Sequence, residues 1–169
     1  KKIILLLGFL SIIITSCEKD DYCLKNPVTP NLILRFYDDS NRKTLKSVEE
    51  LYVWSTGKDS IFSKVKSDSI YLPLNSNTNK TVYHLSNGSS VDTFTITYTP
   101  EEEFVSRSCG FKINFQEVSF SSDTFWIKDF TPSSLTTIDS QNAAHVQNII
   151  SICFLFFVVW ILLAVHSGC

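Results

Sequence analysis

A chain of 169 residues that is 44% hydrophobic and 13% aromatic is long enough for one domain with a sizeable core. Its net charge of −2, with no basic run, excludes the electrostatic footprint of a nucleic-acid-binding protein. The first element is a leader, predicted as a signal-peptide helix over residues 1–16. Lys1 and Lys2 form a positive n-region and Ile3 to Ile14 an apolar h-region, of secretory length but too short for a comfortable membrane span.

The leader closes on Ile14-Thr15-Ser16-Cys17. A generic secretory signal ends in small residues of the A-x-A kind. This stretch instead resembles the bacterial lipobox, in which an aliphatic residue and two small ones precede an obligatory cysteine. The resemblance implies lipidation of Cys17, Cys17 as the first residue of the mature protein, and a membrane as partner through the lipid. Two or more acyl chains anchor stably where one anchors marginally, at about 0.8 kcal/mol per buried CH2. The alternative is a plain cleaved signal followed by a chance cysteine. Glu18-Lys19-Asp20-Asp21 is similar to the export signal of Bacteroidota surface lipoproteins, which implies an outer-membrane lipoprotein exposed at the cell surface. An ordinary solvated tether on a periplasm-facing lipoprotein is the alternative. Residues 17–30 form the tether on either reading. Removing 16 of 169 residues leaves 153, and the loss of Lys1 and Lys2 takes the net charge from −2 to −4.

From Asn31 the chain is a succession of strands. Leu32, Leu34 and Phe36 alternate with Ile33, Arg35 and Tyr37, and Asp38-Asp39-Ser40-Asn41 reads as a turn. Val48 to Trp54 and Asp68 to Leu74 are further β-rich runs, Pro73 marking an edge. A polar loop spans Asn75 to Asn79. Asn87-Gly88 is the preferred pair for a two-residue type I′ hairpin, which would set Tyr83 opposite Asp92 and Thr81 opposite Phe94. Tyr83 and Leu85 then share a face with Phe94, Ile96 and Tyr98. Thr99-Pro100-Glu101-Glu102-Glu103 breaks the pattern, and a long strand carrying Val105, Cys109, Phe111, Ile113 and Phe115 on one face follows. Phe125 and Ile127 open another strand, and Ala144 to Ile150 supplies the last. About seven or eight short strands with no amphipathic helix indicate an all-β antiparallel sandwich over residues 31–150.

Of five cysteines, Cys23 and Cys109 lie in the body and Cys153 and Cys169 in the tail. A cell envelope permits disulfides, and Cys23 with Cys109 is the natural pair. The alternative is two unpaired thiols, Cys109 being a small buried hydrophobe. The tether with Cys17 and Cys23, the run Leu32 to Asp38, Ser108-Cys109-Gly110-Phe111-Lys112 and the late Ile138 to Val146 together resemble a family of small Bacteroidota lipoproteins described only as a domain of unknown function. The resemblance spans roughly Cys17 to Ile150. It implies an envelope β-domain with a cysteine pair, and brings no activity and no catalytic residues.

Ile149 to Val165 is almost wholly apolar, at the lower length limit for a transmembrane helix. Residues 151–169 are therefore a hydrophobic tail, read as a second anchor, as an apolar segment packed on the domain, or as an altered sequence end. Searches for chemistry return little. The chain has no nucleophile elbow, phosphate loop, dinucleotide fingerprint, zinc-protease helix or EF-hand, so no catalytic residue, metal or cofactor is assigned. His84 reads as a solvated strand residue, His145 as structural and Glu101-Glu102-Glu103 as a solvated loop. Asp38-Asp39-Ser40-Asn41 lacks the spaced ligands of a calcium site, and Trp54 and Trp126 read as core ahead of a sugar platform. Two functions compete. One is a non-enzymatic binding or scaffolding module on a lipid anchor, with an envelope protein or glycan as partner. The other is a glycan-acting hydrolase or carbohydrate-binding surface protein, and hydrolysis would require a cleft holding two carboxylates about 5 to 9.5 Å apart.

Overall fold

The structure, a computed structural model, describes Cys23, residues 28–141 and residues 144–150. The leader, Cys17, Glu18 to Asp21 and the tail from residue 151 lie outside the described residues. Ten strands follow one another: β1 (Leu32–Asp38), β2 (Val48–Ser55), β3 (Ser60–Ser67), β4 (Ser69–Leu72), β5 (Lys80–Ser86), β6 (Val91–Ser106), β7 (Gly110–Ser122), β8 (Ile127–Thr131), β9 (Ser134–Ile138) and β10 (Val146–Ile150). Among the described residues there is no helix long and apolar enough to cross a membrane.

The chain divides into two compact units. The described residues of the smaller are Cys23, Val28 and Glu103–Lys112; the larger holds Thr29–Glu102 and the described chain from Ile113 onward. In the smaller unit the chain reverses through Arg107-Ser108-Cys109, with Gly110 at φ 74°, a conformation a Cβ would resist. The Cys109 N–H donates to the Ser106 hydroxyl at 3.0 Å, and Lys112 pairs with Glu103 at 3.0 Å. Cys23 and Cys109 form a disulfide, Cα to Cα 4.9 Å, across a sequence separation of 86.

The larger unit contains a four-stranded sheet in the order β4-β1-β10-β8, while the six-stranded sheet runs β3-β2-β5-β6-β7-β9. Alternation along each strand puts one set of side chains inward. Leu32, Leu34 and Phe36 of β1 and Val146 and Ile150 of β10 join Val53, Leu85, Phe94, Ile96 and Phe115 of the other sheet in one hydrophobic core. Phe94 meets Phe130 edge-on at 5.8 Å, and Phe36 lies 5.8 Å from Trp126. Burying this core, aliphatic and aromatic side chains together, stabilises the fold at roughly 25 cal/mol per Å² of apolar surface removed from water.

Several expectations change. The described residues form ten strands where the sequence indicates seven or eight, and β1 pairs with β10 in parallel, Leu34 opposite Val146 through Asp38 opposite Ile150. The two strands missed are β3 and β9. The loop expected at Thr99 to Glu103 is the continuation of β6, which runs 16 residues through Pro100. Pro100 is tolerated because β5 has ended there: Lys80 pairs with Thr97 and the Tyr98 N–H donates to Asn79 O, so the next nitrogen on that side needs no partner. The single strand expected from Val105 to Phe115 is instead the end of β6, a reversal and the start of β7. Ile149 and Ile150, where the apolar run begins, are buried at the end of β10, within the last strand expected from Ala144 to Ile150.

The hairpin at Asn87-Gly88 has a four-residue loop rather than two. Ser86 pairs with Val91, Leu85 with Asp92 and Tyr83 with Phe94. A type I′ turn needs φ > 0 at both central residues, yet of the two only Gly88, at φ 89°, has it. The Asn87 carboxamide oxygen instead accepts from the Ser89 and Ser90 N–H groups at 3.0 and 2.9 Å, closing the wider loop. A register displaced by two leaves every side chain on its own face, so Tyr83, Leu85, Phe94, Ile96 and Tyr98 are all buried as the alternation required.

Candidate functional site

A cleft of about 410 Å³ opens where the end of β2, the start of β3, the β4–β5 connection and the start of β5 meet. Its far wall is built by a hydroxyl network. The Tyr83 hydroxyl donates to the Pro73 carbonyl. The Tyr98 hydroxyl donates to the Asn75 carbonyl at 2.9 Å and contacts the Thr81 hydroxyl, which accepts from the Asn75 N–H at 3.0 Å. These bonds pin the connection after Pro73 onto β5, so the cleft has a fixed side. Burial, with Tyr98 adding to it, pushes the Tyr83 hydroxyl up to about 12. Tyr83 is therefore a donor at any physiological pH and never a phenolate nucleophile.

The Ser55 hydroxyl is engaged with the Val82 carbonyl at 3.0 Å. Lys58 and Lys80 are the cationic residues of the lining, Ile61 and Leu74 are among its apolar ones, and no described aspartate or glutamate is part of it. The arrangement can hold an anionic or hydrogen-bonding group against a partly apolar wall. It offers no carboxylate pair and no hydroxyl beside a base, the two arrangements that acyl or glycosyl transfer needs.

The side chains singled out in the sequence do not converge. Asp38 binds Lys46 at 2.6 Å and accepts from Ser40, and these bonds, Lys46 first, hold its carboxyl far below the usual carboxylate range. It is a turn anchor. His84 lies against Trp54, ring centroids 5.4 Å apart, with Thr56 at 3.0 Å. Trp126 is buried, its indole N–H donating to Leu85 O at 3.0 Å. Glu101 accepts from Gln116 at 2.9 Å, and Glu103 is taken by Lys112. His145 takes the Ile33 N–H on Nδ1 at 2.9 Å while Nε2 reaches the Ser140 carbonyl at 3.1 Å. Burial lowers its pKa, against smaller upward contributions from Ser140 and Asp139. It is a backbone bracket, since its own N–H also reaches Ile33 O at 2.9 Å. Cys17 and Glu18 to Asp21 lie outside the described residues. Among those described, no three His, Cys, Asp or Glu side chains form a metal-holding group.

One side chain the sequence did not single out organises its surroundings. Asp92 is fully buried and accepts three backbone N–H groups, from Phe125 at 2.7 Å, Trp126 at 3.0 Å and Ile127 at 2.7 Å. Backbone donors carry no sequence signature, so only an acidic residue on the apolar face of β6 hinted at it.

Among the described residues, two β-sheets sharing a hydrophobic core, with the Cys23–Cys109 disulfide in the smaller unit, define an all-β class. Residues 50–149 match a family of unknown function, DUF6452, and the chain belongs to that family. No curated protein and no solved structure matches the chain.

Proposed function

We propose that the protein is a cell-envelope lipoprotein: Cys17 carries the lipid, and a β-sandwich built on the two sheets acts as a non-enzymatic binding or scaffolding module. On this reading the Glu18 to Asp21 segment directs it to the outer face of the outer membrane. The observation that carries the reading is the Cys23–Cys109 disulfide, formed only six residues after Cys17. Disulfides persist in oxidising compartments such as a bacterial envelope and are rare in the cytosol, which fits the apolar leader before Cys17. The cleft beside Tyr83, with its two lysines and with the Ser55 and Tyr83 hydroxyls committed to backbone carbonyls, supports binding over glycan hydrolysis. Metabolic labelling with an alkynyl fatty acid tests the anchor: label on the wild type and none on Cys17→Ser is the expected result. An unlabelled wild type, or a mature N-terminus other than Cys17, overturns it. Protease treatment of intact cells then separates surface display from a periplasm-facing domain.

A further inference from the structure

The smaller unit carries an apolar feature that packing among the described residues does not explain. Phe104 on β6 and Phe111 on β7 meet edge-on, ring centroids 5.2 Å apart, and yet remain 57% and 61% exposed. Edge-on pairing orders the two rings against each other. Lys112 and Glu103, next to them in sequence, neutralise one another at 3.0 Å, so the rings sit beside a paired charge rather than a lone one. Clustered exposed apolar groups mark a site of contact with a membrane or another protein.

The covalent path favours the membrane. Cys109 lies two residues before Phe111 and is bonded to Cys23, Cα to Cα 4.9 Å. Six residues separate Cys23 from Cys17, a reach of at most about 20 Å when fully extended. Along the backbone alone Phe111 would be 94 residues from Cys17. The disulfide converts a distant hairpin into a near neighbour of residue 17. We propose that the Phe104–Phe111 tip is a second membrane contact, its rings seated at the headgroup level of the bilayer that holds the lipid. The proposal rests on the lipid-anchor reading and extends it. Phe, like Trp and Leu, supplies the apolar face of segments that lie in the headgroup and acyl boundary, the rings buried while their polar neighbours stay wet. A contact too weak to hold the protein alone becomes effective when the anchor keeps it at high local concentration. The Cys23–Cys109 bond then has a role in orientation as well as stability.

The test uses the full-length acylated protein with Phe111 replaced by 4-fluorophenylalanine, reconstituted into phosphatidylethanolamine and phosphatidylglycerol vesicles. Doping the vesicles with headgroup-spin-labelled lipid is expected to broaden the fluorine resonance severalfold over undoped vesicles. Mass spectrometry of the acyl chains and vesicle flotation on the same sample report the anchor separately. An acylated, floating protein whose fluorine line stays equally sharp overturns the membrane contact while leaving the anchor standing, and assigns the tip to a second copy, another protein or the chain's own tail. A sample without acyl chains on Cys17 overturns both.

Discussion

Asp92 offers the sharpest stability test. Its carboxylate is fully buried, with Oδ2 accepting from Trp126 and Ile127 and Oδ1 from Phe125, at 2.7 to 3.0 Å. Hydrogen bonds to a charged group contribute about 1.5–3 kcal/mol each, and a buried donor left unmade costs about 1–3 kcal/mol. Three such donors lose their acceptor in Asp92→Ala. They are adjacent and will relax together, so the sum is not additive, and about 4 kcal/mol is expected. For a domain of this size about 2–4 °C of Tm accompanies each kcal/mol, giving a fall of roughly 8–16 °C. Asp92→Asn keeps one carbonyl oxygen, able to serve Trp126 and Ile127, but turns an NH2 toward the Phe125 N–H. About half the loss is expected, near 2 kcal/mol. Thermal unfolding followed by near-ultraviolet circular dichroism reads both variants, and amide exchange reads the three N–H groups directly. An Asp92→Ala protein melting within about 2 °C of wild type, or one whose Phe125, Trp126 and Ile127 amides keep their protection, would refute the role.

Three further outcomes are expected. Replacing the disulfide in Cys23→Ser/Cys109→Ser, or reducing it, should lower stability by up to about 4–5 kcal/mol on the chain-entropy model for a separation of 86 residues, read as a Tm shift with and without reductant. The His145 pKa lies below its ordinary 6.5, so the unfolded chain binds more protons than the folded one; stability is full above pH 6.5 and falls as pH drops toward the folded value. Urea midpoints at pH 7.5 and 5.5 should separate for wild type and converge for His145→Gln, and equal slopes in the two proteins would remove His145 from the account. Asn148 is fully buried, with neither end of its carboxamide hydrogen-bonded, so Asn148→Leu is expected to raise stability by about 1–2 kcal/mol in a chemical-denaturation curve; a destabilised variant would mean that the amide is satisfied in solution.

What was legible in the sequence was periodicity, and what was not was proximity. Thr81, Tyr83 and Leu85 of β5 and Asp92, Phe94, Ile96 and Tyr98 of β6 are buried at every second position, and such a pattern survives even a misjudged turn, as the displacement by two at Asn87-Gly88 shows. β3 and β9 were missed because both are edge strands, each pairing on one side and neither burying a regular apolar face. Without a buried face there is no alternation to read. Pro100 was misjudged for the opposite reason: a breaker in isolation is harmless where the neighbouring strand has already ended. The cleft draws its lining from β2, β3, β5 and two connections, and the carboxylate at Asp92 finds its donors 33 to 35 residues away. Neither leaves a local trace. The cysteine pair was open to reading because the body holds only two cysteines.

The disulfide and the parallel pair are connected through the cost of closing the fold. β10 lies between β1 and β8 in its sheet, so β1 keeps an open edge, flanked by the apolar Leu32, Leu34 and Phe36, until the last described strand arrives. Ile33 meets His145 across 112 residues of chain. With Cys23 and Cys109 joined, the shortest covalent path between those two residues falls to about 46 residues, which on a (3/2)RT ln n dependence lowers the closure entropy by about 0.8 kcal/mol. The pairing that closes the four-stranded sheet is thus favoured once the cross-link exists, and the time for which an apolar strand edge, an aggregation liability, stands open is shortened. The same bond that ties the Phe104–Phe111 hairpin to Cys23 therefore also brings forward the completion of the sheet. An oxidising compartment serves both ends at once.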